Sequence, residues 1–212
     1  MIVYGSSISP YVRKVLAFAA EKGIEVESKP VGLGSDDPDF LAASPFRKIP
    51  ALQDGDFRIS DSSAIIAYLD ALKPDPELIP AEPRARARAV WFDEFGDTIL
   101  MGCGRTMFFN RLVAPRFLKR DGDLAAADKA EREELPPVLD YLESVIPESG
   151  FLVEDRLTLA DLAVASPFVN LGHIQVDLGS RPKLAAYLES ILGRPSFKHW
   201  VDRETAFLAR AA

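Results

Sequence analysis

Four prolines fall within the eleven residues KPDPELIPAEP, Lys73 to Pro83, and the hydrophobic patterning differs on the two sides of that stretch. Proline lacks a backbone N–H and holds φ near one value, so such a run neither continues a helix nor sits inside a sheet. It reads as a linker. Before it, strand and helix signals alternate; after it, no strand signal of comparable strength returns. The chain therefore divides into a mixed α/β unit over 1–76, a linker over 77–84 and an all-helical unit over 85–212. At 212 residues, with 48% hydrophobic and 27% charged side chains, it can bury a sizeable core.

In the first unit, MIVYG has the length and apolar run of a short buried strand. Tyr11 to Lys22 follows as a helix, with Val12, Val15, Leu16 and Ala19 at helical spacing and Gly23 as its stop. EVESKPV alternates weakly, as an edge or early strand does. GLGSDDPDFLAASPFRK reads as loop with one helical turn, and IPALQDGDFRIS as two strands around an Asp-Gly turn. From Asp61 a helix returns, with Ile65, Ile66, Leu69 and Leu72 on one side. Strand-helix-strand gives a parallel pair, and a hairpin plus helix adds an antiparallel edge, so a mixed four-stranded sheet is expected. Beyond the linker, Trp91, Phe95, Ile99 and Leu100 form one helical stripe. Leu135, Val138, Leu139, Leu142 and Val145 form another, which Pro136 and Pro137 must kink or start.

Composition removes several functions. The net charge of -7 opposes non-specific nucleic-acid binding, and the one basic cluster, Arg84 to Arg88, reads as a solvated helix surface. Cys103 is the single cysteine, so internal disulfides, redox pairs and cysteine-rich zinc sites are excluded. His173 and His199 stand 26 positions apart without a ligand motif, and no metal is expected. No apolar run approaches the roughly 20 residues of a membrane span, and MIVYGSSISP lacks a secretory pattern. A cytoplasmic protein without a membrane partner is the expectation.

Three stretches offer chemistry. In GSSISPYVRKV, Ser9 precedes Pro10 at the start of the first helix. Serine there caps a helix, and proline at the next position has no N–H to leave unpaired. The same place carries a partial positive charge, so a hydroxyl held there can instead serve a ligand anion, such as a thiolate. In RKIPAL, the Ile49–Pro50 bond precedes a strand. Trans proline at an edge strand satisfies the local pattern; a cis bond would turn the Ile49 backbone outward to pair with a peptide. In ISDSSAIIAYL, Asp61, Ser62 and Ser63 stand at a helix start. They are either a cap or a receptor for the ammonium and carboxylate of an amino acid.

Taken together, GSSISPYVRKVL, SPFRKIPALQDGDFRISDSSAIIAYL and FLVEDRLTLADLAVA resemble the cytosolic glutathione transferases in order and spacing. In the last stretch Thr158 and Asp161 would form a capping box. The resemblance spans nearly the whole chain and implies a thioredoxin-like N-terminal domain, an all-α C-terminal domain and a homodimer. It implies Ser9 as the catalytic residue stabilising the glutathione thiolate, and Ile49 with a cis Pro50 as the partners of the cysteinyl backbone. Asp61 and Ser62 match the pair that holds the γ-glutamyl end, with Asp61 where Glu is usual. Where several serine-type classes carry a basic residue for the glycyl carboxylate, this chain has GSDDPD, whose aspartates would repel it. Lys48, or else Arg13 or Lys14, would supply the cation. The electrophile would lie against Tyr11 and the segment ILMGCGRTMFFNRL, chiefly Met101, Arg105 and Phe108; Gly102 and Gly104 suggest close approach of a ligand or partner backbone. The implied activity is conjugation of glutathione, a co-substrate, to a small apolar electrophile. Other glutathione-dependent enzymes on the same scaffold (isomerase, dehalogenase, peroxidase), or a non-catalytic binding protein, are the alternatives.

Overall fold

The computed structural model describes residues 1–32 and 34–210; residues 211 and 212, the end of the expected helical unit, lie outside the described residues. The first unit runs β1 (Ile2–Tyr4), α1 (Pro10–Glu21), β2 (Glu27–Lys29), α2 (Pro38–Ala43), β3 (Ala51–Asp54), β4 (Phe57–Ser60) and α3 (Ser62–Leu72). The sheet order is β2-β1-β3-β4, with β1 parallel to β2 and the other pairs antiparallel. Side chains alternate between its faces as the pleat requires. Val3 and Leu52 enter the main core with α1 and α3, whereas their neighbours Tyr4 and Ala51 pack with Phe40 of α2 on the other face.

Register decides where a site can form. Tyr4 pairs with Ala51, and Ala51 with Ser60. The C-terminal end of β1, the N-terminal end of β3 and the C-terminal end of β4 therefore share one edge of the sheet. The starts of α1 and α3 follow directly from it.

The second unit continues as α4 (Pro83–Glu94), α5 (Met101–Phe108), α6 (Ala114–Phe117), α7 (Leu124–Lys129), α8 (Leu135–Val145), α9 (Leu159–His173), α10 (Pro182–Leu192) and α11 (Pro195–Arg210). No strand follows β4 among the described residues. Wider π-helical turns, Phe95–Leu100, Phe109–Val113 and Ala130–Glu134, join α4 to α5, α5 to α6 and α7 to α8. They displace the apolar stripes from a 3.6-residue period. Phe95 and Leu100 are buried, but Trp91 and Ile99 are about half exposed, against the single stripe expected; Leu72, last in α3, is also exposed. Trp91 is held at the surface by stacking on Phe95 and edge contact with Tyr141. Pro136 and Pro137 start α8 rather than kink it.

Helix α9 is the axis of the molecule, buried from Leu159 to Leu171 and packed against both α1 and α4. Its Pro167 has no N–H to offer the Ala163 carbonyl one turn earlier. Gly96 of the first π-helical segment closes on that carbonyl, where a Cβ would stand 2.7 Å from Ala163 O. At the start of α9, Asp161 Oδ2 accepts from the Thr158 N–H at 2.9 Å and Oδ1 accepts from Leu152 N at 2.9 Å, closing the expected capping box.

Candidate active site

Ser9 is the N-cap of α1, with Pro10 next, and its side chain makes no cap hydrogen bond. Its backbone does the structural work: the Ser9 N–H donates to Ser6 O at 3.0 Å and its carbonyl accepts from Arg13 N at 2.9 Å. The partly exposed hydroxyl is left over. Beneath it, Gly5 has φ 134° and lies so close to α1 and Ile49 that a Cβ would meet Val12 Cγ2 at 2.6 Å and Ile49 Cβ at 3.1 Å. A side chain there would push the Ser9 loop and the Ile49 strand apart.

The Ile49–Pro50 bond is cis. The loop entering it is held by the buried Ser44 hydroxyl, which donates to Lys48 O at 2.7 Å and accepts from Lys48 N at 2.8 Å. The Pro50 carbonyl then accepts from Asp61 N at 3.3 Å, joining the second stretch to the third. Asp61 has φ 91°, unusual for a residue with a side chain, and such conformations concentrate at functional sites. Its Oδ1 accepts from Ser63 N at 3.0 Å and Ala64 N at 3.1 Å, capping α3.

Ser62 is nearly buried, and its hydroxyl donates downward to Asp97 Oδ2 at 3.3 Å. Ser63 donates to Asp93 Oδ2 at 2.6 Å. Lys14 Nζ closes the set, 2.6 Å from Asp93 Oδ1 and 2.7 Å from Asp97 Oδ2. Burial pushes the Asp97 carboxyl above its ordinary value, against the pull of Lys14. The sequence reading missed this support; its one local trace is the i, i+4 spacing of Asp93 and Asp97.

Lys14 is therefore spent on Asp93 and Asp97 and Arg13 on Glu204, both cations buried, so neither is free for the glycyl carboxylate. Lys48 is exposed beside Ile49. The expected repulsion from GSDDPD is also reduced. Asp36 pairs with Arg47 at 2.9 Å, while Asp37 caps α2 and pairs with Lys29 at 2.8 Å.

Of the residues expected at the electrophile, Tyr11 donates to the Asp97 carbonyl at 3.1 Å, and its hydroxyl is raised in pKa by burial and Asp97 while exposed Arg105 pulls it down. Phe108 packs with Leu112 and Leu208 against Ile8, the residue before Ser9, and Met101 is buried. Cys103 and Met107 belong to the core, where burial raises the Cys103 thiol. Within the chain nothing approaches the Cβ position of Gly102 within 4 Å, and at Gly104 the contacts are ordinary, Met101 Sδ at 3.6 Å and Leu171 Cδ2 at 3.8 Å. Two open cavities of about 540 Å³ lie elsewhere, one along α1 and the start of α11, one between α9 and the end of α11. Neither is lined by Ser9, Ile49 or Asp61.

Comparison with known proteins gives this geometry a family. Residues 3–77 match the glutathione S-transferase N-terminal domain and residues 109–204 the C-terminal domain. The chain belongs to the glutathione S-transferase family. It is 32% identical to glutathione S-transferase 3 of Zea mays over 94% of this chain and 92% of that one. Glutathione transferase F7 from Populus trichocarpa superposes with a TM-score of 0.84 at 28% identity, covering 95% and 97% of the two chains. Glutathione S-transferase I from maize, solved in complex with an atrazine glutathione conjugate, superposes with a TM-score of 0.84 at 26% identity, covering 95% and 96%. The thioredoxin-like sheet domain and the helical C-terminal domain are thus those of this transferase family. No helix among the described residues is long and apolar enough to cross a membrane.

Proposed function

We propose that this transferase conjugates the thiolate of glutathione to a small apolar electrophile, with Ser9 as the hydroxyl that stabilises the sulfur anion. The observation that carries the reading is that the Ser9 hydroxyl makes no cap bond at the start of a 12-residue helix, on the sheet edge that also carries Ile49 and Asp61. An ordinary thiol has a pKa of about 8.5, and a hydrogen bond together with the N-terminal field of α1 lowers it, making the nucleophile abundant at neutral pH. The two effects together contribute about 2 to 4 kcal/mol of anion stabilisation.

Glutathione lies along the edge. Its cysteinyl backbone pairs with Ile49 beside Pro50, and its γ-glutamyl carboxylate takes the Ser62 N–H at the start of α3, since the Ser63 and Ala64 N–H groups already donate to Asp61. Asp61, with one oxygen already capping that helix, offers the other to the ammonium. Lys48 is the cation for the glycyl carboxylate. The electrophile is bounded by Tyr11, Met101, Arg105 and Phe108. The sulfur lone pair forms the new carbon–sulfur bond, and the leaving group departs with the electrons of the bond it breaks. Glutathione is a co-substrate, and no metal takes part. The proposed assembly is a cytoplasmic homodimer. Exposed Phe46 on the first unit, and Val90 and Trp91 on the second, supply apolar surface for a partner copy.

Titrating the thiol of bound glutathione by its ultraviolet absorbance, in the wild type and in Ser9→Ala, tests the reading. A pKa well below the free value that returns toward it in the variant supports it. Equal titration in both proteins removes Ser9 from the mechanism.

A further inference from the structure

We infer that Asn170, Ser166 and the buried Arg13–Glu204 pair are positioning residues that set where Ser9 sits, so that the thiolate site is held from the C-terminal domain. The inference rests on the reading of Ser9 given above, and it concerns Arg13 of α1 and residues of α9 and α11, none of which touches substrate.

The carbonyls of Ser6 and Ser9 are bonded locally. Those of Ile8 and Pro10, on either side of Ser9, are held from the other domain, with Arg13 beside them. Asn170 Nδ2 donates to Ile8 O at 2.8 Å, Arg13 Nη2 donates to the same oxygen at 3.3 Å, and the Ser166 hydroxyl donates to Pro10 O at 2.7 Å. The two residues flanking Ser9 are thus each fixed by a side chain of α9, while the Ser9 hydroxyl makes no cap hydrogen bond.

Arg13 ties these contacts into one unit. Its Nε and Nη2 meet Glu204 Oε1 and Oε2 at 3.0 and 2.7 Å, and its Nη1 reaches Ser166 O at 2.6 Å and Asn170 Oδ1 at 3.1 Å. His173 Nε2 stands 3.2 Å from Glu204 Oε2 at the outer end. The guanidinium is planar and has five donors in a fixed fork, so occupying them defines its position closely. A fully buried charge with every donor engaged is more than packing between two domains requires, since an apolar contact would serve that purpose. What it adds is geometric definition of the Ile8 and Pro10 carbonyls. Phe108, Leu112 and Leu208 support the same loop through the Ile8 side chain.

The set reads as a clamp. A hydroxyl that stabilises an anion acts only from hydrogen-bond distance, and a displacement of about 1 Å costs on the order of 100-fold in rate. The γ-glutamyl contacts at α3 lie on a different element, so loosening the clamp lowers thiolate formation more than glutathione binding.

Ser166→Ala and Asn170→Ala in the full chain test this, with Asn170→Asp as a control that keeps an acceptor for Arg13 and loses the donor to Ile8 O. Ser166→Ala retains the backbone carbonyl that Arg13 uses, so it is the variant least disposed to misfold. We expect cooperative thermal unfolding in each and about ten-fold faster amide hydrogen exchange at Ser9, with exchange in β1 and β3 unchanged. For glutathione conjugation to an aryl halide, kcat falls about ten-fold while KM for glutathione stays within about three-fold. The acidic limb of the kcat/KM profile moves up by about one pH unit, the same ten-fold expressed as thiolate. Unchanged Ser9 exchange together with an unchanged pH profile in folded variants overturns the clamp. Faster exchange with no dependence of the thiol titration on Ser9 itself supports the clamp and overturns the assigned reaction, so the two failures are separable.

Discussion

Two helix starts in this protein use the same class of residue for opposite ends. At α9, Thr158 and Asp161 close a capping box, both residues fully buried, and Asp161 also holds the Leu152 N–H. At α1, Ser9 stands in the same cap position with extended backbone angles, yet its hydroxyl caps nothing and is partly exposed. Proline at the first helical position of α1 has no N–H to leave unpaired, so this helix start carries one orphan donor fewer. The first helix therefore leaves its cap hydroxyl unused as a cap, whereas the second spends its cap on stability.

Substitutions make that contrast measurable. The largest stability effect belongs to Asp161→Ala, which strands the buried N–H groups of Leu152 and Thr158; urea unfolding should show a loss of about 3 kcal/mol or more. Ser9→Ala is the converse. It should leave stability within about 0.5 kcal/mol, since no cap bond is lost, and lower kcat/KM for glutathione conjugation about 100-fold. A large stability loss in Ser9→Ala, or none in Asp161→Ala, breaks the comparison.

The pH dependence of stability sharpens it. Burial raises Asp161 from 3.8 to about 6, the hydrogen bonds from Leu152 and Thr158 opposing the shift. A carboxyl raised on folding binds its proton more tightly in the native state. Its contribution is therefore complete below pH 3.8 and lost as pH rises through about 6. Chemical unfolding across that window should carry a component approaching 1.4 kcal/mol per pH unit that Asp161→Asn abolishes. Glu204 acts in the other direction: burial alone would raise it, but His173 and Arg13 hold it below its ordinary value, so its contribution is lost on acidification. Within the α9 cap the smallest effect is expected for Thr158→Ser, which keeps the hydroxyl and removes one buried methyl, costing about 0.8 kcal/mol. A loss of several kcal/mol there would place the weight of the cap on the methyl rather than on the box.

Legibility followed the range of the interactions. The Ser9-Pro10 start, the Asp-Gly hairpin between β3 and β4, and the Thr158–Asp161 box are contacts among near neighbours, and each leaves its pattern in a few consecutive letters. Arg13 and Lys14 look like solvent-facing positions of an amphipathic helix and are instead fully buried. Their carboxylate partners lie 191 residues away for Arg13, and 79 and 83 residues away for Lys14. No local pattern announces such pairs. The π-helical turns are similarly silent, and they are why Trp91 and Ile99 leave the stripe they share with Phe95 and Leu100. Asp36 and Asp37 read as bare acidic residues because their partners, Arg47 and Lys29, come from other segments.

By itself, the order of letters determined the two-part architecture, a mixed four-stranded sheet and the starts of α1, β3 and α3, because these depend on backbone dihedral preferences and on hydrogen bonds spanning a few residues. Tertiary packing alone decided that Arg13 and Lys14 of α1 are locked inside and that the Ile8 and Pro10 carbonyls beside Ser9 are held from α9. Those outcomes depend on burying charge and carbonyl groups against a second domain, where low polarity makes each partner obligatory and distance along the chain irrelevant.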